Sequence, residues 1–262
     1  MLIAGLDLAA EPKGTALAVI DWSPGRANLV SLVLGIEDEE IIAAVSGCTK
    51  FGIDCALGWP TAFVDFLNQH SKIDEPSQSF DGGIESRRRL AYRETDRHVR
   101  EVTGRWPLSV STDRLGMTAM RCAGLLSKLT AAGASGTAVA ADSRTNPIDR
   151  SGSGQVVEIY PGASLRLWGF ETAGYRNSPE IRARLLSDIQ AEAPWLVLDG
   201  FAEIMISSCD AFDAVIAALA ARSAFLGHFE GPTPDQEHQA RVEGWVALPN
   251  TALSTLIEPP TS

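Results

Sequence analysis

An acid stands inside each of three strand-like apolar runs of this chain, and that placement restricts the folds open to it. Asp7 lies in LIAGLDLAA, Asp54 in KFGIDCALG and Glu158 in QVVEIYPG. A lone buried carboxylate is costly to desolvate unless it is paired or bound to a metal ion. Two more acids, Asp210 and Asp213, open the alanine-rich stretch SSCDAFDAVIAALAARSAFL. The pattern predicts one shared cation site built from strands and a late helix. Carboxylates grouped round divalent cations perform phosphoryl chemistry.

Strand alternation refines that expectation. Gly5, Asp7 and Ala9 share one face of the first strand, and Gly52, Asp54 and Ala56 share one face of a later strand. Small neighbours on the acid's own face are expected to leave room for a cation or substrate. Asp210 and Asp213, three apart, project from one side of their helix, and Ala217, Ala220, Ala221 and Ala224 continue that side for close approach to the sheet. Phe212, Val215, Ile216 and Leu219 form the neighbouring apolar stripe. Plainer roles compete. Asp210 follows Ser207 at capping-box spacing, Asp7 could close a turn, and Glu158 could pair with an arginine of the middle segment.

From Met1 to Leu57 the chain reads as three strands joined by short turns, a helix with acids in its first turn, and a fourth strand. This order predicts an antiparallel triplet that crosses over to a parallel partner. Residues 59–150 read as an Arg-rich helical insertion at one edge of a single domain spanning 1–262. Its helices are expected near 62–70, 85–102 and 117–132, with a polar stretch KIDEPSQSFDGG between the first two. A glycine-rich connection containing a flexible SGSG loop leads to the strand QVVEIYP. Ser178 and Pro179 then start a helix, and EGWVALP reads as a final edge strand before a disordered EPPTS tail.

Net charge is −11, which argues against a protein that coats long nucleic acid. Between Ile84 and Cys122, however, nine arginines face five acids and no lysine, a local +4. This island reads either as a phosphate-binding surface, since the guanidinium fork matches phosphate oxygens, or as a solvated helix face with Arg–Glu pairs. Cys48, Cys55, Cys122 and Cys209 are scattered, as expected of buried free thiols in a reducing cytoplasm. His70, His98, His228 and His238 lack metal-ligand spacing and are expected at the surface. No apolar run approaches the ~18 residues of a membrane helix, so no membrane partner is expected.

With Asp7, Asp54 and the DAFDA pair in place, the chain resembles the ribonuclease H-like superfamily, and its resolvase branch in particular. GLDLA, YRETDRHVRE, RWPLSVSTDRLG, VVEIYP, CDAFDAVIAALAAR and EGWVALP together are similar to the family called domain of unknown function 429. The resemblance implies a mixed five-stranded α/β sheet flanked by helices, with Asp7, Asp54 and Asp213 as catalytic metal ligands and Glu158 and Asp210 beside them. It also implies that Arg93, Glu94, Thr95 and Asp96 belong to the rim, where Arg97 joins them in substrate binding.

The resulting expectation is a Mg²⁺- or Mn²⁺-dependent nuclease or phosphodiesterase. Its substrate would be a short or structured nucleic acid or a small phosphodiester, and a second copy of the chain is a candidate partner. Two alternatives stand. One is an ATP-binding protein of the actin-like superfamily, whose first strand–turn–strand also resembles GLDLAAEPKGTALAVID. The other is a non-catalytic binding module on the same fold.

Overall fold

The computed structural model describes residues 1–72, 82–134 and 148–258. Most of KIDEPSQSFDGG, much of the connection before SGSG and nearly all of the EPPTS tail lie outside the described residues. Strands β1 (Leu2–Asp7), β2 (Ala16–Ser23) and β3 (Arg26–Leu34) form an antiparallel meander. Helix α1 (Asp38–Val45) then carries the chain to β4 (Lys50–Asp54), which pairs parallel with β1 as expected. Helices α2 (Thr61–His70), α3 (Ile84–Ala91), α4 (Glu94–Thr103) and α5 (Gly116–Ala134) follow. Next come β5 (Val156–Glu158), α6 (Pro161–Leu167), α7 (Pro179–Glu192) and β6 (Leu196–Val197). The last helices are α8 (Ala202–Ser207), α9 (Cys209–Phe225) and α10 (Glu237–Glu243).

The sheet is mixed and six-stranded in the order β5-β4-β1-β2-β3-β6. The expected five strands gain β6, which is too short to show a period and joins β3 only at Ala27 and Asn28. EGWVALP supplies isolated bridges, such as Val246 to Glu158, instead of an edge strand. The single helix expected over 85–102 is two, because the chain turns at Tyr92–Arg93. The Arg93 amide donates to Asp96 Oδ2 (2.8 Å), which closes the first turn of α4. Arginine is a poor N-cap by type, so its sequence gave no stop signal.

Two helical layers sandwich the sheet. On one face Ile3, Ala16, Ala18 and Val157 pack against α9 and α7. On the other, Leu6, Phe51 and Ile53 pack against Ile41 and Val45 of α1 and Cys122, Leu125 and Leu129 of α5. Helix α5 thus forms a core layer, although it comes from the 59–150 segment expected at an edge.

The glycines beside the aspartates have a different task from the one expected. A Cβ at Gly5 would lie 2.1 Å from Ala218 N and 2.3 Å from Ala214 O, and one at Gly52 would lie 2.8 Å from Ala217 O. The space is therefore occupied by the backbone of α9, which seats its alanine side directly on β1 and β4. Access to Asp7 and Asp54 is therefore from beyond the strand ends. Among the described residues no helix is long and apolar enough to cross a membrane.

Candidate functional site

Asp7 and Asp54 end adjacent strands and are direct partners in the β1–β4 register. Neighbouring strands lie ~4.8 Å apart, so the two carboxylates begin as close neighbours. Both stand on the side that carries Gly5 and Gly52, facing α9. That helix brings Asp213, buried on its second turn, and Asp210, half-buried on its first. Ser208 starts the helix by accepting from the Ala211 amide (3.2 Å), so the cap is one residue later than the Ser207 spacing implied.

The charges interact. Burial, then Asp54, Asp213 and Asp210, push the Asp7 carboxyl up to about 9. Burial and Asp213 push Asp54 up to about 8, with Arg176 opposing. Asp213 rises to about 6 through burial, held back by Arg176 and by the Tyr175 hydroxyl. Asp210 is raised by burial against the pull of Arg182 and Arg176. The donor set is four hard carboxylates with too little positive charge around them, which suits Mg²⁺ or Mn²⁺. Among the described residues no group of three or more His, Cys, Asp or Glu side chains is placed to hold a metal ion.

Three further contacts surround Asp213. Tyr175 Oη donates to Asp213 Oδ1 (2.9 Å), Arg176 Nη2 lies 3.5 Å from Oδ2, and the Cys209 thiol donates to Oδ2 (3.6 Å). Tyr175 and Arg176 sit on the loop before α7, where periodicity carries no information. Their only trace in the sequence is an aromatic–arginine pair just ahead of the Ser178 cap. Buried Arg182 of α7 fixes that loop: Nη1 donates to the carbonyls of Tyr175 (2.7 Å) and Arg176 (3.2 Å). Its Nε and Nη2 reach the carbonyls of Ile206 (2.8 Å) and Ser207 (3.1 Å), just before α9. One guanidinium thereby locks the loop carrying Tyr175 and Arg176 to the approach of the Asp210–Asp213 helix.

Glu158 falls on the other side of the sheet. Its register partner on β4 is Ile53, which belongs to the α5 face, one residue out of phase with Asp54. There Arg93 holds it with a two-pronged ion pair, Nη2 to Oε1 (2.7 Å) and Nη1 to Oε2 (2.8 Å), and the Leu57 amide donates to Oε2 (3.0 Å). Arg93 also grips Asp96 (Nη2 to Oδ1, 2.9 Å), and all three side chains are buried. Arg93 and Asp96 are therefore interior groups that join α4 to β5, not a substrate-facing rim. Arg97 pairs with Glu94 on the half-exposed side of α4. Buried Glu243, which the sequence did not single out, receives the amides of Thr61 (2.7 Å) and Glu94 (3.1 Å).

Several arginines of the island are thus held by acids. Arg88 pairs with Glu85, Arg97 with Glu94, Arg93 with Glu158, and Arg121 with Asp38. Nor is His98 a surface group, since it stacks on Trp245 at 5.0 Å. The SGSG loop is pinned by buried Lys50, whose Nζ donates to the carbonyls of Gly152 (3.1 Å) and Ser153 (3.3 Å).

Beyond Tyr175 and Arg176 opens a cleft of about 600 Å³. Acidic cluster and cleft meet at these two residues. No curated protein and no solved structure matches the chain. The model of the family described as Protein of unknown function (DUF429) matches residues 5–238, so the chain belongs to that family.

Proposed function

We propose that this protein is a Mg²⁺- or Mn²⁺-dependent nuclease or phosphodiesterase of the ribonuclease H-like kind, acting on a short or structured nucleic acid or a small phosphodiester. One observation carries the reading. Asp7, Asp54, Asp210 and Asp213 come from two adjacent strand ends and one helix, and all but Asp210 have their proton affinity raised by another acid of the group. The central place of β1, the parallel β4 beside it and the late helix across both support the ribonuclease H-like assignment.

Asp7 and Asp54 would hold the cation from the strand side, and Asp213, with Asp210, from the helix side. Bound divalent cations supply polarisation of the phosphoryl group and a water nucleophile at neutral pH. Tyr175, donating to Asp213, orients that carboxylate. Arg176 offsets part of the negative charge and stands where an approaching phosphate would first meet the site. Glu158 acts at one remove by holding Arg93 and the Leu57 amide, which fixes the chain that leaves Asp54.

Hydrolysis of bis(p-nitrophenyl) phosphate and of a short labelled oligonucleotide, with Mn²⁺ or EDTA, tests this reading. Wild-type turnover should need the cation, and Asp213→Asn should lower it at least ~100-fold. Cation-independent turnover, or an unimpaired Asp213→Asn, would sink the assignment. ATP hydrolysis in its place would favour the actin-like alternative, and cation-independent binding without turnover the binding module.

A further inference from the structure

The cleft beside the carboxylates is lined by Arg105, Arg166 and Arg176, the aromatics Tyr160 and Phe170, and Gly162. Its one lining acid, Glu171, accepts the Ala173 amide (2.8 Å) within its own turn. Among the described residues no carboxylate lies within ion-pair distance of Arg105 or Arg166. Arg166 is the telling group. Its Nε and Nη2 are shielded from solvent, yet neither has a hydrogen-bond partner. In a protein with 33 acids and 22 basic residues, a shielded guanidinium left unpaired is an expense that an external anion would relieve.

Geometry ties this cation to the acidic site. A Cβ at Gly162 would lie 3.5 Å from Tyr175 Oη and 3.6 Å from Arg166 Nη1. Both groups therefore border one small space, kept open by the missing side chain, and the Tyr175 hydroxyl bonds Asp213 on its far side. Arg166 also lies over the Tyr160 ring at 5.8 Å, which leaves that half-buried aromatic beside the same space. The cleft volume is that of a small-ligand site.

We infer that this cleft binds a nucleotide-sized ligand, its phosphate held by Arg166 and Arg105 and handed toward the carboxylates past Arg176, with its base against Tyr160 and Phe170. The inference rests on the phosphodiesterase reading and sharpens it. Substrate is engaged one nucleotide at a time at the α6 cleft, and not along the arginines of α3 and α4. The guanidinium fork suits two phosphate oxygens, and the flanking aromatics accept any base face.

Calorimetric titration in EDTA with adenosine 5′-monophosphate, pyrophosphate and adenosine tests the site apart from catalysis. Wild type should bind the nucleotide and not adenosine. Arg166→Met should weaken binding at least about tenfold, the usual effect of losing a charge-assisted hydrogen bond. Gly162→Ala meets only ordinary contacts, so it should keep the wild-type melting temperature while binding the nucleotide more weakly. Wild-type affinity in both variants, or pyrophosphate binding without nucleotide binding, would overturn the proposal. Because the assay contains no divalent cation, a failed metal-dependent hydrolysis with intact nucleotide binding would instead count against the proposed activity alone.

Discussion

Folding pushes the Asp7 carboxyl to about 9 and the Asp54 carboxyl to about 8, from an ordinary value of 3.8, so both bind protons more tightly in the folded chain. A raised carboxyl contributes its stability below the unfolded value and loses it as pH climbs through the folded one. In EDTA the melting temperature should therefore fall between about pH 4 and pH 9. Mg²⁺ should restore most at the alkaline end, where the acids are bare. Asp213→Asn removes a charge that raises both neighbours, so its metal-free melt should slope less with pH and gain less from Mg²⁺. Flat wild-type melts across this range would show that Asp7 and Asp54 are not raised, and a full Mg²⁺ gain in the variant that Asp213 does not share the site. Arg176, and after it the Tyr175 hydroxyl, hold Asp213 down, so that it is the most readily ionised of the three.

At the scale of elements, the site depends on how α9 lies against β1 and β4. Gly5→Ala would drive a methyl into the Ala218 amide and the Ala214 carbonyl, and helix backbone cannot yield as a side-chain tip can. It should destabilise the fold by about 3 kcal/mol or more, read by denaturant melts, with metal response lost in whatever remains folded. Ala220→Gly, farther from that contact but fully buried, should cost about 2 kcal/mol, the helix penalty plus the lost methyl. The two strand acids and the crossover were legible because strand and helix periods write them directly into the sequence. The alanine seat was legible only at Ala217 and Ala221, since Ala214 and Ala218 take the places expected of Ala220 and Ala224. The face of Glu158 was not, because alternation within one strand says nothing of its register with the next. The break before Arg93 was hidden for a related reason: the Glu158 partner that holds it lies 65 residues away. Tyr175 and Arg176 stand on a loop, positioned by Arg182 through main-chain carbonyls, and such contacts leave no pattern of residue types.

For the molecule as a whole, a net charge of −11 and an arginine island in which Arg88, Arg93, Arg97 and Arg121 are held by acids leave few cations for phosphates. Binding to random duplex DNA should be weak, with a log–log salt slope of roughly −2 to −4 against the −6 to −10 of extended binders. Tight duplex binding with a steep slope would mean that another face makes the contact. The seat of α9 on β1 also orders events during synthesis. The central strand leaves the ribosome well before the helix that roofs it, which is made about 200 residues later, a wait of about 10 to 40 s at common elongation rates. Through that interval Ile3, Ala16 and Ala18 lack α9 against them. A nascent chain stopped after Gly200 should therefore engage holding chaperones and pellet when released from them, whereas the full chain should not. For this protein, the residues that build the site also set the moment at which the chain becomes safe from aggregation.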